Sequence, residues 1–181
     1  GPVLVHHDAP VRLLDARLDR VPVQARRVEP AQVDHLAVDA GHGDGARLIA
    51  GGKRSRSETG GFYVEPTVFA GVNNQMKIAR EEIFGPVMSV IRFKTEAEAI
   101  AMANDSSYGL QASVWSHNIN RAHRVARALR AGTVHVNQYD EDDITVPFGG
   151  YKQSGNGRDK SLHAFDKYTE LKTTWLRIDA A

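Results

Sequence analysis

The chain has 181 residues, enough for one domain of ordinary size with a buried core. Its apolar fraction of 41% and charged fraction of 25% are typical of folded rather than disordered proteins. A net charge of +1 gives no reason to expect a nucleic acid or an anionic membrane as partner, and no apolar run has transmembrane length. Because the sequence contains no cysteine, disulfides, thiolate-bound metals and a cysteine nucleophile are excluded.

Residues 1–48 differ in composition from the rest of the chain. They use ten residue types and contain no Ser, Thr, Asn, Lys, Ile, Met, Phe, Tyr or Trp, although folded segments use such residues in turns and cores. One interpretation is a divergent helical segment, because four apolar residues nearly keep helical spacing: Val11, Leu14, Leu18 and Val21. The other is a stretch translated in a shifted reading frame of a GC-rich gene. We therefore treat residues 1–48 as a degraded, divergent or frameshifted segment.

Four apolar segments beyond residue 53 predict strands. Residues 62–69 form the first, with Pro66 at an edge or a bend. Residues 86–93 are an apolar, β-branched run, which indicates a buried strand. Residues 110–115 and 133–137 are predicted as two further strands.

Two helices are predicted between these strands. Thr95 and Glu98 form a capping box that begins a helix ending at Asn104, with an inward face of Ala97, Ile100 and Ala101. Asn118 caps the second helix, and Gly132 lies where a C-cap glycine is expected. The apolar stripe of that helix is Ile119, Ala122, Val125, Ala126 and Leu129. Alternation of strands and helices predicts the α/β class, with a mostly parallel sheet and flanking helices.

The C-terminal part carries a glycine-rich loop at residues 148–157, a short helix near residues 161–165 and an alternating strand pattern at residues 172–179. The loop fits neither the P-loop nor the dinucleotide-binding pattern, so it is interpreted as a turn or an active-site loop. The acidic run 140–143 lacks the spacing of a calcium loop and is interpreted as a solvated loop. No metal site is predicted.

Five segments together resemble the NAD(P)-dependent aldehyde dehydrogenase superfamily. They are residues 78–87 (IAREEIFGPV), 104–110 (NDSSYGL), 131–137 (AGTVHVN), 147–158 (PFGGYKQSGNGR) and 168–173 (YTELKT). The resemblance covers about residues 45–181, and its last third is most similar to the branch acting on aminobutyraldehyde and its γ-glutamylated form. It implies that residues 49–166 are the later half of the catalytic domain. Residues 167–181 would be a tail joining an oligomerisation sheet.

The resemblance also implies roles for individual residues. Glu82 matches the glutamate that holds the nicotinamide ribose of NAD or NADP, since a carboxylate can accept two hydroxyl hydrogens. Phe84 matches the ring beside the nicotinamide, and Phe148 an aromatic wall of the aldehyde tunnel. Gln32 matches a further cofactor contact. Asp142 and Asp143 lie in the acidic loop at the tunnel entrance, where carboxylates favour an amino-bearing aldehyde. Read without the resemblance, Glu82 would be a solvated residue and both phenylalanines ordinary core residues.

The family's chemistry requires a thiolate that attacks the aldehyde and a general-base glutamate, and neither is matched in this chain. No catalytic residue is therefore assigned. Two hypotheses remain: the C-terminal part of an aldehyde dehydrogenase that is inactive alone, or a non-catalytic assembly module. Under the first, we expect an aldehyde substrate, NAD or NADP, a cytoplasmic homo-oligomer, and neither nucleic acid nor membrane as partner.

Overall fold

A computed structural model of the protein describes residues 4–7, 11–14, 33–61, 63–139 and 143–179. The strands are β1 (Leu4–His7), β2 (Val11–Leu14), β3 (Arg47–Ala50), β4 (Arg54–Ser55), β5 (Tyr63–Val64), β6 (Thr67–Ala70), β7 (Val87–Arg92), β8 (Gln111–Trp115) and β9 (Thr133–Val136). The α-helices are α1 (Val33–Gly43), α2 (Lys77–Arg80), α3 (Glu96–Asn104) and α4 (Ile119–Ala128). Short 3-10 helices cover Ser57–Thr59, Lys152–Ser154 and Leu162–Lys167.

Seven strands form one mixed sheet in the order β3-β6-β7-β2-β1-β8-β9, and β4 and β5 form a separate ribbon. The pairings β2–β7, β6–β7 and β8–β9 are parallel, whereas β1–β2, β1–β8 and β3–β6 are antiparallel. Five strands consequently run in one direction, and only β1 and β3 oppose them within the described residues. The predicted α/β class is confirmed, although half of the pairings are antiparallel.

Two short pieces of the N-terminal segment lie in the middle of this sheet. Val5 pairs with Leu13, while Leu4 pairs with Trp115 on β8 and Val11 with Ser89 on β7. The helical alternative for residues 11–21 is therefore wrong at residues 11–14. A strand there gains hydrogen-bonded neighbours on both sides, which a short isolated helix could not match. The rest of that stretch lies outside the described residues.

The helix after β7 begins as predicted but buries a different face. The Thr95 hydroxyl accepts a hydrogen bond from the Glu98 N–H (3.1 Å), and the Glu98 carboxylate accepts one from the Lys94 N–H (2.7 Å). Ala99 and Ala103 are buried, whereas the expected inward residues Ala97 and Ala101 are exposed and Ile100 is half-buried. Alanine at every second position gives no helical period, so the sequence does not identify the buried face.

The second predicted helix is confirmed, with one correction at each end. Asn118 accepts a hydrogen bond from the Arg121 N–H (3.0 Å), and Ala122, Val125 and Leu129 are buried, but Ile119 is 59% exposed. Leu129, not Gly132, is the C-cap residue. Gly132 instead allows its backbone to lie close to that of Gly149, because a Cβ at Gly132 would lie 1.7 Å from the Gly149 carbonyl oxygen.

The predicted strands at the two ends of the conventional region also differ in the structure. The 62–69 segment is divided around Pro66 into β5 and β6. Residues 172–179 form no paired strand, and Trp175 and Ile178 are largely exposed. An alternating segment without a neighbouring strand has no ladder to join. Among the described residues, no helix combines the length and the apolar character needed to cross a membrane.

Candidate functional site

Glu82 lies just after α2 and points away from protein partners. Its side chain is exposed and makes no hydrogen bond or ion pair with any residue that the structure describes. The neighbouring Glu81 differs, because its carboxylate lies 3.6 Å from the Lys77 ammonium one helical turn earlier. The carboxylate of Glu82 is thus available to accept hydrogen bonds from a ligand.

Phe84 is held outward by its backbone. Its φ is 51°, a left-handed conformation that is unusual for a bulky residue, and the side chain is 74% exposed. The adjacent Ile83 is buried at 8% exposure, so the loop is fixed to the core at that point. Such local strain is characteristic of ligand-contacting segments.

The helix before Glu82 is fastened to the core from two directions. Ile78 is 1% exposed, and its carbonyl accepts a hydrogen bond from the buried Ser89 hydroxyl (3.2 Å). The Lys77 N–H donates to the Asp44 carboxylate (2.5 Å), which satisfies a free donor at the start of the helix. Glu82 and Phe84 therefore extend from a fixed support.

A polar cluster, which we call the Arg80 clamp (Asn74, Arg80 and Asp105), fixes the other end of α2. The Arg80 Nε donates to the Asn74 carbonyl, and an Arg80 terminal nitrogen lies 3.4 Å from the Asp105 carboxylate. The Asn74 amide donates to the same carboxylate (3.1 Å) and to the Met102 carbonyl (2.8 Å). The segment that carries Glu82 and Phe84 is consequently tied to the end of α3.

Phe148 is positioned by a two-residue bridge. Its N–H donates to the Asp159 carbonyl (2.8 Å), and the Asp159 N–H donates back to the Phe148 carbonyl (2.6 Å). The half-buried ring faces the Lys160 ammonium, which lies 5.4 Å from the ring centroid. The bridge thus fixes the backbone at Phe148, and the role of its ring as a wall of the aldehyde tunnel stays a prediction.

The loop after Phe148 is bound to the turn formed by residues 104–109. The Lys152 ammonium donates to the Asn104 and Ser106 carbonyls, each at 2.8 Å. The Ser154 hydroxyl accepts from the Gly109 N–H (3.0 Å). Burial, together with the nearby charge of Arg130, lowers the pKa of Lys152 from its ordinary value.

Asp143 is ionised but engaged within its own loop. One carboxylate oxygen accepts from the Thr145 N–H (2.8 Å) and from the Thr145 hydroxyl (2.7 Å). The hydrogen bond from the backbone, followed by that from the hydroxyl, lowers the pKa of Asp143. Asp142 and Gln32, two further predicted site residues, lie outside the described residues.

The structure places the predicted residues in two groups. Glu82 and Phe84 share one segment, while Phe148 and Asp143 share another, and no hydrogen bond, ion pair or ring contact joins the groups among the described residues. Nor does any group of three or more His, Asp or Glu side chains in the described ranges form a metal site.

Three residues that support these segments were not singled out from the sequence: Arg80, Asp105 and Lys152. Asp105 lies in the NDSSYGL motif, where a cluster of Asn, Asp and Ser after a helix indicates side-chain contacts with the backbone. That signal predicts a polar turn, but it does not identify the partners.

The aldehyde dehydrogenase family profile matches residues 27–174, which is most of the chain. The protein belongs to the aldehyde dehydrogenase family. The match includes residues 27–48, part of the segment that the composition set apart, and so begins before the resemblance seen near residue 45.

Individual relatives agree with this family. The chain is 47% identical over 165 residues to the NADP/NAD-dependent aldehyde dehydrogenase PuuC of Escherichia coli, covering 90% of this chain and 32% of the relative. Among solved structures, the indole-3-acetaldehyde dehydrogenase of P. syringae in complex with NAD+ and IAA is 66% identical, with a TM-score of 0.76 over 81% of this chain and 30% of that one. The γ-glutamyl-γ-aminobutyraldehyde dehydrogenase of Burkholderia cenocepacia is 62% identical, with a TM-score of 0.73, over 78% and 29%. The chain thus spans about a third of the length of these relatives.

Proposed function

We propose that this chain is the C-terminal part of an NAD(P)+-dependent aldehyde dehydrogenase that oxidises an aldehyde to a carboxylic acid. The observation that carries the proposal is the exposed pair Glu82 and Phe84 on a support fixed by Ile78 and Ile83. Side chains that remain exposed on a rigid segment are suited to hold a ligand, because little ordering is needed when it binds.

The residues present fit a nicotinamide nucleotide. The Glu82 carboxylate can accept both ribose hydroxyl hydrogens, and the Phe84 ring offers an apolar face for the planar nicotinamide. The cofactor supplies the hydride acceptor when bound. The part of the chain described here would orient the ring and exclude water from one side of it.

The proposed substrate class is based on Phe148 and on the acidic loop at residues 140–143. We propose an amino-bearing aldehyde, since the ionised Asp143 contributes negative charge near Phe148 and a relative acts on γ-glutamyl-γ-aminobutyraldehyde. Asp142 would add to that charge. Thr145 engages one carboxylate oxygen of Asp143, so the other oxygen would face an amino-bearing substrate.

We further propose that the chain alone is inactive, because the sequence contains no cysteine to attack the aldehyde. The test compares this chain with a hybrid enzyme, in which residues 27–181 replace the matching part of the Burkholderia relative. Aldehyde-dependent NADH formation is expected from the hybrid and not from the chain. A folded hybrid without turnover would contradict the proposal, as would turnover by the chain after removal of host dehydrogenases.

A non-catalytic assembly module is the second candidate. The exposed tail favours it, because Leu171, Trp175 and Leu176 are at least 80% exposed and need a partner surface. The genomic sequence upstream, read in three frames, distinguishes the two. A cysteine-containing family motif there supports the enzyme, whereas an independent start supports the module.

A further inference from the structure

The turn at residues 104–109, which begins at the last residue of α3, contacts residues that lie next to each group of candidate site residues in the chain. It includes the NDSSYG part of one of the family-like motifs. Asp105 belongs to the Arg80 clamp, and the carbonyls of Asn104 and Ser106 bind Lys152. The segment that carries Glu82 and Phe84 and the segment that carries Phe148 therefore share one support, although no hydrogen bond, ion pair or ring contact joins them among the described residues.

On the cofactor side, the hydrogen bonds and the ion pair that the turn makes within the described residues involve Asp105. Its carboxylate lies 3.4 Å from Arg80, which ends α2 two residues before Glu82, and 3.1 Å from the Asn74 amide. Loss of the Asp105 carboxylate would therefore remove one support from the end of α2, next to the backbone that carries Glu82 and Phe84.

On the substrate side, both backbone groups and a side chain of residues 151–153 form hydrogen bonds with the turn. The Tyr151 N–H donates to the Gly109 carbonyl (2.9 Å), and the Gln153 N–H donates to the Ser107 carbonyl (3.0 Å). Lys152 adds two hydrogen bonds from a left-handed backbone with φ of 55°. These contacts fix residues 151–154 and thereby the path of the chain leaving Phe148.

The turn is itself held in place by Asn104. Its amide donates to the Ala128 carbonyl (2.8 Å), and its side-chain oxygen accepts from the Arg130 N–H (2.7 Å). One side chain thus satisfies groups at the end of α4, where helical backbone groups have no partners of their own. The turn cannot shift without disturbing both helices, which makes it a rigid reference point.

We propose that the 104–109 turn sets the position of the nicotinamide-binding segment relative to the aldehyde-tunnel wall. Asp105 is the positioning residue on the cofactor side and Lys152 on the substrate side. The expected effect on catalysis rests on the proposed function. The connection between the two segments does not, because its contacts lie within this chain. Neither residue touches the reacting atoms, so each acts through the segment that it holds.

The mechanical part is tested by hydrogen exchange on the full 181-residue chain. Asp105→Ala should accelerate amide exchange in residues 81–85 about tenfold, and Lys152→Met should do so in residues 148–154. Exchange in β8 should stay unchanged in both variants. Asp39→Asn and Lys94→Gln are controls, since both side chains are exposed and make no hydrogen bond or ion pair with other described residues. Exchange that accelerates everywhere, or in neither segment, would overturn the proposal.

The functional part is tested in the hybrid enzyme. Asp105→Ala should raise the KM for NAD+ about tenfold with the aldehyde KM nearly unchanged, and Lys152→Met should do the reverse. Asp105→Asn and Lys152→Arg should restore part of each loss, because they retain an acceptor and a cation. Two KM values that rise together would show a general structural effect and overturn the assignment. If the hybrid lacks turnover while exchange responds as expected, the proposed function fails and the mechanical role stands.

Discussion

Glu82 and Glu81 are adjacent carboxylates with opposite surroundings. Glu81 pairs with Lys77, whereas Glu82 has no partner among the described residues. A hydrogen bond to a charged group contributes about 1.5–3 kcal/mol, so its loss weakens binding by roughly tenfold or more. In the hybrid enzyme, Glu82→Gln should raise the KM for NAD+ by that factor and Glu81→Gln should leave it unchanged, as measured by initial rates. Equal effects of the two substitutions would contradict the ribose role of Glu82.

Asp143 gives a residue-scale prediction about pH. Its pKa is lowered in the folded chain by Thr145, so folding favours the ionised form. The stabilisation is present above the unfolded pKa and is lost as the pH falls through the lowered folded pKa. Thr145→Val removes the hydroxyl donor and should move the pKa of Asp143 upward toward its ordinary range, observed by NMR titration of the carboxyl carbon. Thr173→Val, in the exposed tail, is the control and should leave the pKa of Asp143 unchanged. An unchanged pKa of Asp143 in Thr145→Val would refute the hydroxyl of Thr145 as a cause of the shift.

At the scale of elements, a substitution of Gly132 tests how closely the backbone before β9 approaches the glycine-rich loop. A Cβ at Gly132 would lie 1.7 Å from the Gly149 carbonyl oxygen, and backbone must move to admit it. Gly132→Ala should therefore destabilise the fold by about 1–3 kcal/mol, a fall in Tm of several degrees. Gly43→Ala is the matched control, because a Cβ there meets nothing within 4 Å. Equal melting temperatures for the two variants would show that the approach is not tight in solution.

Elements whose signal lies within a few residues could be predicted from the sequence. The β-branched run of β7 and the Thr95 and Asn118 caps are local patterns that the structure confirms. The apolar stripe of α4 is also local, and it is confirmed at Ala122, Val125 and Leu129 but not at Ile119. Elements that depend on distant partners could not be predicted. The strand at residues 11–14 exists because β7 and β1 lie on its two sides, which no local pattern in a ten-letter segment indicates.

The same distinction applies to the candidate site. Glu82, Phe84 and Phe148 were recognised because they lie in family-like motifs, and their roles remain predictions. The residues that hold them were missed, since Arg80 and Asp105 are 25 positions apart and Lys152 and Ser106 are 46 apart. Side-chain contacts over such distances follow from the topology of the sheet, which a single sequence does not specify.

At the scale of the whole molecule, the C-terminal tail predicts association. Leu171, Trp175, Leu176 and Ile178 are each at least 80% exposed on a segment without a strand partner. Unpaired apolar edges promote pairing with another chain, so the intact protein should elute as an oligomer or aggregate in size-exclusion chromatography. Deletion of residues 171–181 should shift it toward the monomer, and Trp175→Ser should do so in part. A monomeric intact chain would contradict this expectation.

The position of β1 in the middle of the sheet has a consequence for synthesis on the ribosome. Leu4 pairs with Trp115, roughly a hundred and ten residues later in the chain. At typical elongation rates of about 5–20 residues per second, the nascent β1 waits roughly 5 to 20 s before β8 has been made. During that interval the backbone donors and acceptors on that side of β1 lack their partners, and an unpaired strand edge is a template for pairing with another chain.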